Sequence, residues 1–157
     1  MNLYLVQHGQ ARPKEEDPQR SLSNTSRSEA ENVAAYAARY ANITVVNILH
    51  SGKTRAEQTA EVFAKHLKPT GGISAAEDLE PMAEPSIWVT RLAKMKEDVM
   101  LIGHMPHLCK LASLLLCGDA DRNVVAFQNA GIVCLNRDGN GTWVVRWLVT
   151  PDIVVQR

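Results

Sequence analysis

The apolar and polar positions of this 157-residue chain alternate between strand-like runs and helix-like spacing. Leu3-Tyr4-Leu5-Val6 is a short apolar run of strand length that stops abruptly at Gln7-His8-Gly9. Gln10 to Arg20 is polar, contains Pro13 and Pro18, and predicts a loop. Ala30, Val33, Ala34, Ala37 and Ala41 then fall on one helical face. Ser23 or Ser26 is the N-cap of that helix, Ser26 having capping-box spacing to Glu29. Thr44 to Leu49 predicts a second strand, ending in His50-Ser51-Gly52. Ala56, Ala60, Phe63, Ala64 and Leu67 mark the buried face of a second helix, closed by Pro69 and Gly71-Gly72.

A short strand is expected within Ile73 to Glu80, and a third helix begins at Glu84-Pro85 with Trp88, Leu92 and Met95 inward. Val99 to Ile102 is a third apolar run, ending in Gly103-His104. Pro106 opens a fourth helix with Leu108, Leu111, Ala112 and Leu115 on its inner side, capped by Gly118. Ile132 to Leu135 and Trp143 to Val149 predict two closing strands, with hairpin chemistry at Asp138-Gly139-Asn140-Gly141. The spacing of Trp143 and Trp147 places both on one side of a regular strand. Strands alternating with helices predict an α/β fold: a three-layer α/β/α sandwich on a mostly parallel, mixed sheet. No repeat or linker divides the chain, so residues 1–157 are expected to form one domain.

Composition narrows the function classes. Apolar residues make up 45%, enough for a core without disulfides, and 17 basic residues balance 17 acidic ones. With no basic block, neither nucleic acid nor a membrane surface is an expected partner. No run reaches membrane-spanning length, and no leader segment is recognisable. Cys109, Cys117 and Cys134 form no Cys-x-x-Cys pair and are expected to be reduced and mostly buried, in a cytoplasmic, monomeric protein.

Three predicted strands end in related chemistry. His8 follows the first, His50-Ser51 the second with Arg55 a few residues on, and Gly103-His104 the third. In an open α/β sheet, ligands bind outside the carboxyl ends of the strands. If these strands are parallel neighbours, two imidazoles, a guanidinium and helix N-termini meet there. That set makes an anion site suited to a phosphoryl group.

The same residues carry a family resemblance. Leu5-Val6-Gln7-His8-Gly9-Gln10-Ala11 resembles the Arg-His-Gly-(Glu/Asp)-Ala element of the histidine phosphatase superfamily, also called phosphoglycerate mutase-like. Arg20-Ser21-Leu22-Ser23 resembles its Arg-x-Leu-(Ser/Thr) element, and Ser51 to Ala60 its Ser-x-x-x-Arg-Ala-x-Gln-Thr-Ala element. Ile102-Gly103-His104-Met105-Pro106 is similar to the segment of the second catalytic histidine. The short chain resembles the small SixA-type phosphohistidine phosphatases. The resemblance implies His8 as nucleophile, with Arg55 and His104 completing the catalytic set. It implies phosphate binding by Gln7, Gly9, Arg20, Arg55 and His104, and neither metal nor cofactor. The implied partner is a phosphorylated protein, or a small phosphorylated substrate.

Two positions depart from the pattern: Gln7 stands where arginine is usual, and Gln10 where an acid is common. Gln7 donates hydrogen bonds but has no guanidinium fork, so weaker phosphate binding and retuned activity are expected. Glu77, Asp78, Glu80 and Glu84 lie where larger relatives place a general acid; Glu80 is the candidate, and the alternative is that all four are surface carboxylates. An imidazole leaves phosphorus easily, whereas an alkoxide needs protonation, so a missing acid favours phosphohistidine. The competing functions are a non-catalytic phosphate- or phosphoprotein-binding module and a small-molecule phosphomonoesterase. His104-x-x-His107 has the spacing of a metal pair but no third ligand in sequence. His107 is expected on the helix surface or pocket wall, His50 to be structural or at the rim, and His66 exposed.

Overall fold

The computed structural model describes residues 1–154. Among these, six strands form one sheet: β1 (Asn2–Gln7), β2 (Asn47–His50), β3 (Ile73–Ala75), β4 (Val99–Gly103), β5 (Ile132–Arg137) and β6 (Trp143–Val149). Their order is β3-β2-β4-β1-β5-β6. β3–β2, β2–β4 and β4–β1 pair in parallel, and β1–β5 and β5–β6 are antiparallel. Four helices complete the fold: α1 (Asn24–Tyr40), α2 (Thr54–Leu67), α3 (Pro85–Lys94) and α4 (His107–Cys117).

The two-residue period of the central strands builds two cores. Tyr4, Val6, Ile48, Met100 and Ile102 face α1 and α2, whose Ala30, Val33, Ala60 and Phe63 cover them. Leu3, Leu5, Leu101 and Val133 face α3 and α4, under Trp88, Leu92, Leu108 and Leu111. This is the three-layer mixed-sheet architecture that the alternation predicts. Phe63 is fully buried, so Phe63→Ala would cost about 3–5 kcal/mol.

Two local expectations change, and a third is decided between its alternatives. Ile43 and Val45 are buried, yet strand pairing begins only at Asn47. The apolar run from Thr44 reports burial, and its first half packs without joining the ladder. Ser23, not Ser26, caps α1, its Oγ accepting from Ser26 N–H at 3.1 Å. Ser26 is buried instead, and its Oγ accepts from Gln10 N–H at 2.6 Å. The tryptophans face opposite cores: Trp143 packs on the α3/α4 side and Trp147 on the α1/α2 side, 5.9 Å from the Tyr4 ring. Cys134 pairs with Trp147 while Leu135 pairs with Val145, so Arg146 is an extra residue that reverses the alternation.

Pro85 is the first residue of α3 as expected, whereas Pro106 is the N-cap of α4, which starts at His107. Gly118 closes α4 in the left-handed conformation. Among the described residues no helix is long and apolar enough to cross a membrane.

Candidate active site

Because β4 lies between β1 and β2, the three polar strand ends meet on one edge of the sheet. His8 N–H donates to the Gly103 carbonyl at 3.0 Å, which extends the β1–β4 ladder by one residue. The His8 and His104 rings then stand 4.7 Å apart, centroid to centroid, tilted by 50°. Arg55 enters from the first turn of α2, half-buried.

The His8 ring has a defined tautomer. Its Nδ1 lies 2.6 Å from the Gly9 carbonyl oxygen. A carbonyl only accepts, so Nδ1 carries the proton and Nε2 keeps its lone pair. The backbone beneath is fixed from three directions. Asn129 Nδ2 donates to the His8 carbonyl at 2.8 Å. Gly9 N–H donates to Thr59 Oγ1 at 3.0 Å, and that hydroxyl donates to the Arg55 carbonyl at 2.7 Å. Gln58 Oε1 accepts from Leu22 N–H at 2.8 Å, tying α2 to the approach of α1. Gly9 has no room for a side chain, since a Cβ would lie 2.6 Å from Ser26 Oγ and 2.9 Å from Leu22 Cδ2.

His104 is 1% exposed, and its Nε2 lies 2.6 Å from Ser51 Oγ. Its Nδ1 is buried without a hydrogen-bond partner. Burial pushes its pKa down to about 3, with His8, Arg55 and Lys53 adding charge repulsion. Burial likewise lowers the His8 pKa, and Arg55 and Arg20 act in the same direction against the Gly9 hydrogen bond. Both imidazoles are therefore neutral near pH 7. The charges acting on them come from basic side chains, without a carboxylate among them.

Arg20 is exposed, with a φ of 51°. Its charge reaches both His8 and Arg55. Gln7 is half-buried, pairs with Gly103 of β4, and makes no side-chain hydrogen bond among the described residues. Strand alternation starts it on the face opposite His8.

The four carboxylates at 77–84 have other surroundings. Asp78 pairs with Arg91 at 2.5 Å. Glu84 caps α3 by accepting from Ser86 N–H at 3.2 Å. Glu77 is exposed, while its carbonyl accepts from Trp88 Nε1 and Arg91. Glu80 is exposed, with no side-chain partner among the described residues. Asp78, Glu80 and Glu84 act electrostatically on His107.

His107 itself overturns an expectation: it is fully buried, and neither ring nitrogen has a partner. His66 is half-buried, not exposed, and contacts Glu31 at 2.5 Å across α1 and α2. His50 is structural as expected, buried, with Nδ1 accepting from Gly52 N–H at 3.1 Å. Among the described residues no three His, Cys, Asp or Glu side chains cluster as a metal site would require. The motif around Arg55 already contained Gln58 and Thr59, though not their partners. Asn129 had no signal in the sequence, because its contact spans 121 positions.

The fold recurs in solved structures. The protein histidine phosphatase SixA complexed with tungstate superposes with a TM-score of 0.84 at 22% identity, over 97% of this chain and 98% of that one. The alpha-ribazole phosphatase from Shigella flexneri matches with a TM-score of 0.76 at 14% identity, over 100% of both chains. A mutant phosphoserine phosphatase from Entamoeba histolytica in complex with phosphoserine matches with a TM-score of 0.71 at 14% identity, over 98% of this chain and 99% of that one. No curated protein matches the sequence. Residues 3–84, just over half of the chain, match the histidine phosphatase superfamily (branch 1), and the chain belongs to that family.

Proposed function

We infer that this protein is a phosphatase working through a phosphohistidine intermediate on His8, and that its substrate is phosphohistidine in a protein. The carrying observation is the His8 ring, whose Nδ1 is held by the Gly9 carbonyl so that Nε2 presents a lone pair. Nε2 forms a bond to phosphorus as the bond to the leaving imidazole breaks. The leaving nitrogen keeps the electron pair and takes a proton from solvent. Water then attacks the phospho-enzyme and releases phosphate, restoring neutral His8. Arg55 and His104 hold the phosphoryl oxygens, and Arg20 adds a charged contact. Gly9 leaves room for Ser26 and Leu22 to close in beside the nucleophile, and Gln7 supplies an uncharged donor where an arginine would bind more strongly.

The choice of phosphohistidine rests on the leaving group. Among the described residues no carboxylate hydrogen-bonds to or pairs with the side chains of His8, Arg55 or His104. An alkoxide would leave poorly from such a site, and an imidazole would not. Gln7 and the same absence also favour a second reading, a binding module that holds phosphate without turnover.

The test exposes the protein to a phosphohistidine protein and to alkyl and aryl phosphates. The expected result is phosphate release from the first, with transient acid-labile, base-stable phosphate on His8 and none in His8→Ala. Full turnover by His8→Ala overturns the covalent mechanism. Gln7→Arg should gain roughly 1–2 kcal/mol, or about five- to thirty-fold in kcat/KM. Tighter phosphate inhibition without turnover in that variant supports the binding module. No change in either would mean that Gln7 does not face the phosphate.

A further inference from the structure

We propose that a basic trough beside His8 and Arg55 binds an acidic stretch of the protein that carries the phosphorylated histidine, an assignment that rests on the phosphohistidine reading above. The trough has a volume of about 490 Å³ and is lined by Lys14, Pro18, Gln19, Arg20, Lys53 and Arg55, together with Gly52 and Thr54. Arg20 and Arg55 belong to both places: they line the trough, and their charges reach His8. Arg20 and Arg55 thus join the positive charge of the trough to the charge acting on His8.

Its charge is uncompensated. Among the described residues none of these four cations forms an ion pair, although the whole chain has as many acidic residues as basic ones. No carboxylate lines the trough. Two acids of the same loop are engaged elsewhere. Asp17 accepts from Ser21 Oγ and from the N–H groups of Gln19 and Ser21. Glu16 lines a separate hollow with Gln10 and Arg12. Arg20 meanwhile holds a φ of 51°, a conformation that residues with a Cβ seldom adopt, while its N–H bonds to the Asp17 carbonyl at 2.9 Å.

The walls favour a macromolecule over a small metabolite. Lys14, Pro18, Gln19, Arg20, Gly52 and Lys53 are all exposed, and no aromatic residue lines the trough. A nucleobase finds no aromatic face to stack on there. An extended acidic segment needs only room and opposite charge, which select a partner and speed its encounter.

The experiment uses two phosphohistidine peptides that differ only in flanking residues, Asp/Glu in one and Lys in the other, with a small phosphoramidate as the reference substrate. The acidic peptide should show about tenfold higher kcat/KM at low salt, shrinking as ionic strength rises. The double variant Lys14→Glu/Gln19→Glu should erase that preference while phosphoramidate turnover stays within about twofold. Equal kcat/KM for both peptides overturns the trough and leaves the phosphohistidine reading standing. Fluorescence anisotropy with the unphosphorylated peptides separates the reverse case. If neither phosphopeptide is hydrolysed but the acidic peptide binds more tightly, and loses that advantage in the double variant, acidic recognition is supported and the catalytic reading fails.

Discussion

The four helices begin in two different ways. α1 and α3 are capped by side chains: Ser23 Oγ accepts from Ser26 N–H, and Glu84 Oε1 from Ser86 N–H. α2 and α4 begin after Lys53 and Pro106, and neither has a side-chain cap. The uncapped pair are the helices that follow β2 and β4 most directly, with three residues between strand and helix. The first N–H groups of a helix need partners, and a cap contributes about 1 kcal/mol. At the strand ends the chain omits that stabilisation and leaves polar groups and positive dipole ends toward the place where the imidazoles meet. The histidines do not divide so simply: at the strand ends His8 and His50 have partners, while His104 Nδ1 and both nitrogens of His107 have none. The contrast thus lies in the caps, present on α1 and α3 and missing on the two helices that start beside the site.

The largest test of that contrast is Arg55→Ala. The Arg55 side chain makes no hydrogen bond or ion pair among the described residues, and Arg20 repels it. A structural residue would lower stability when truncated. Arg55→Ala should instead keep the melting temperature and reduce kcat/KM by roughly 10²–10³-fold, about 2.7–4 kcal/mol of transition-state stabilisation. A large loss of stability with little loss of rate would reverse the comparison.

The second test uses the unpartnered imidazoles. An unfolded histidine titrates near 6.5, whereas burial and neighbouring cations put His104 at about 3 in the folded chain. Between those values the unfolded state binds more protons, so stability rises with pH across the window and is lost as pH falls through it. Each such imidazole contributes a slope of up to about 1.4 kcal/mol per pH unit. His107, lowered by burial, acts with the same sign. Urea unfolding from pH 7 to pH 4 should show this fall, and His104→Asn should flatten it. An unchanged slope in that variant would assign the acid sensitivity to other groups.

The features legible in the sequence are those set by short range. The strand ends at His8, His50 and His104 were visible because apolar runs stop there, and the parallel order β2-β4-β1 brings them together. The reason for Gly9 was not visible: its constraint comes from Ser26 and Leu22, which approach only once α1 has docked. The opposed tryptophans escaped because one unpaired residue, Arg146, changes the facing of everything before it without any glycine or proline to mark the place. His107 escaped because its burial depends on how α4 packs on the sheet. The four carboxylates at 77–84 could be located but not distinguished, since their roles are decided by Arg91 and by the start of α3.

The smallest effect isolates the capping contrast itself. Lys53 has an extended backbone, φ −71° and ψ 142°, which suits an N-cap residue. Lys53→Asp should supply the missing cap to α2 and place a negative charge at its positive end. The expected gain is about 0.5–1 kcal/mol in unfolding free energy. Lys53→Ala removes the lysine charge without adding a cap and should show no such gain. Inhibition by inorganic phosphate should weaken in both, and more in the aspartate variant, because a carboxylate then occupies the N–H groups and repels the anion. Ser23→Ala and Glu84→Ala should do the opposite, each losing about 1 kcal/mol of stability while phosphate inhibition stays unchanged. Those paired signs depend on the N-terminus of α2 facing the anion. If Lys53→Asp becomes more stable and is still inhibited by phosphate as the wild type is, that N-terminus faces no ligand, and the missing cap on α2 has no functional meaning.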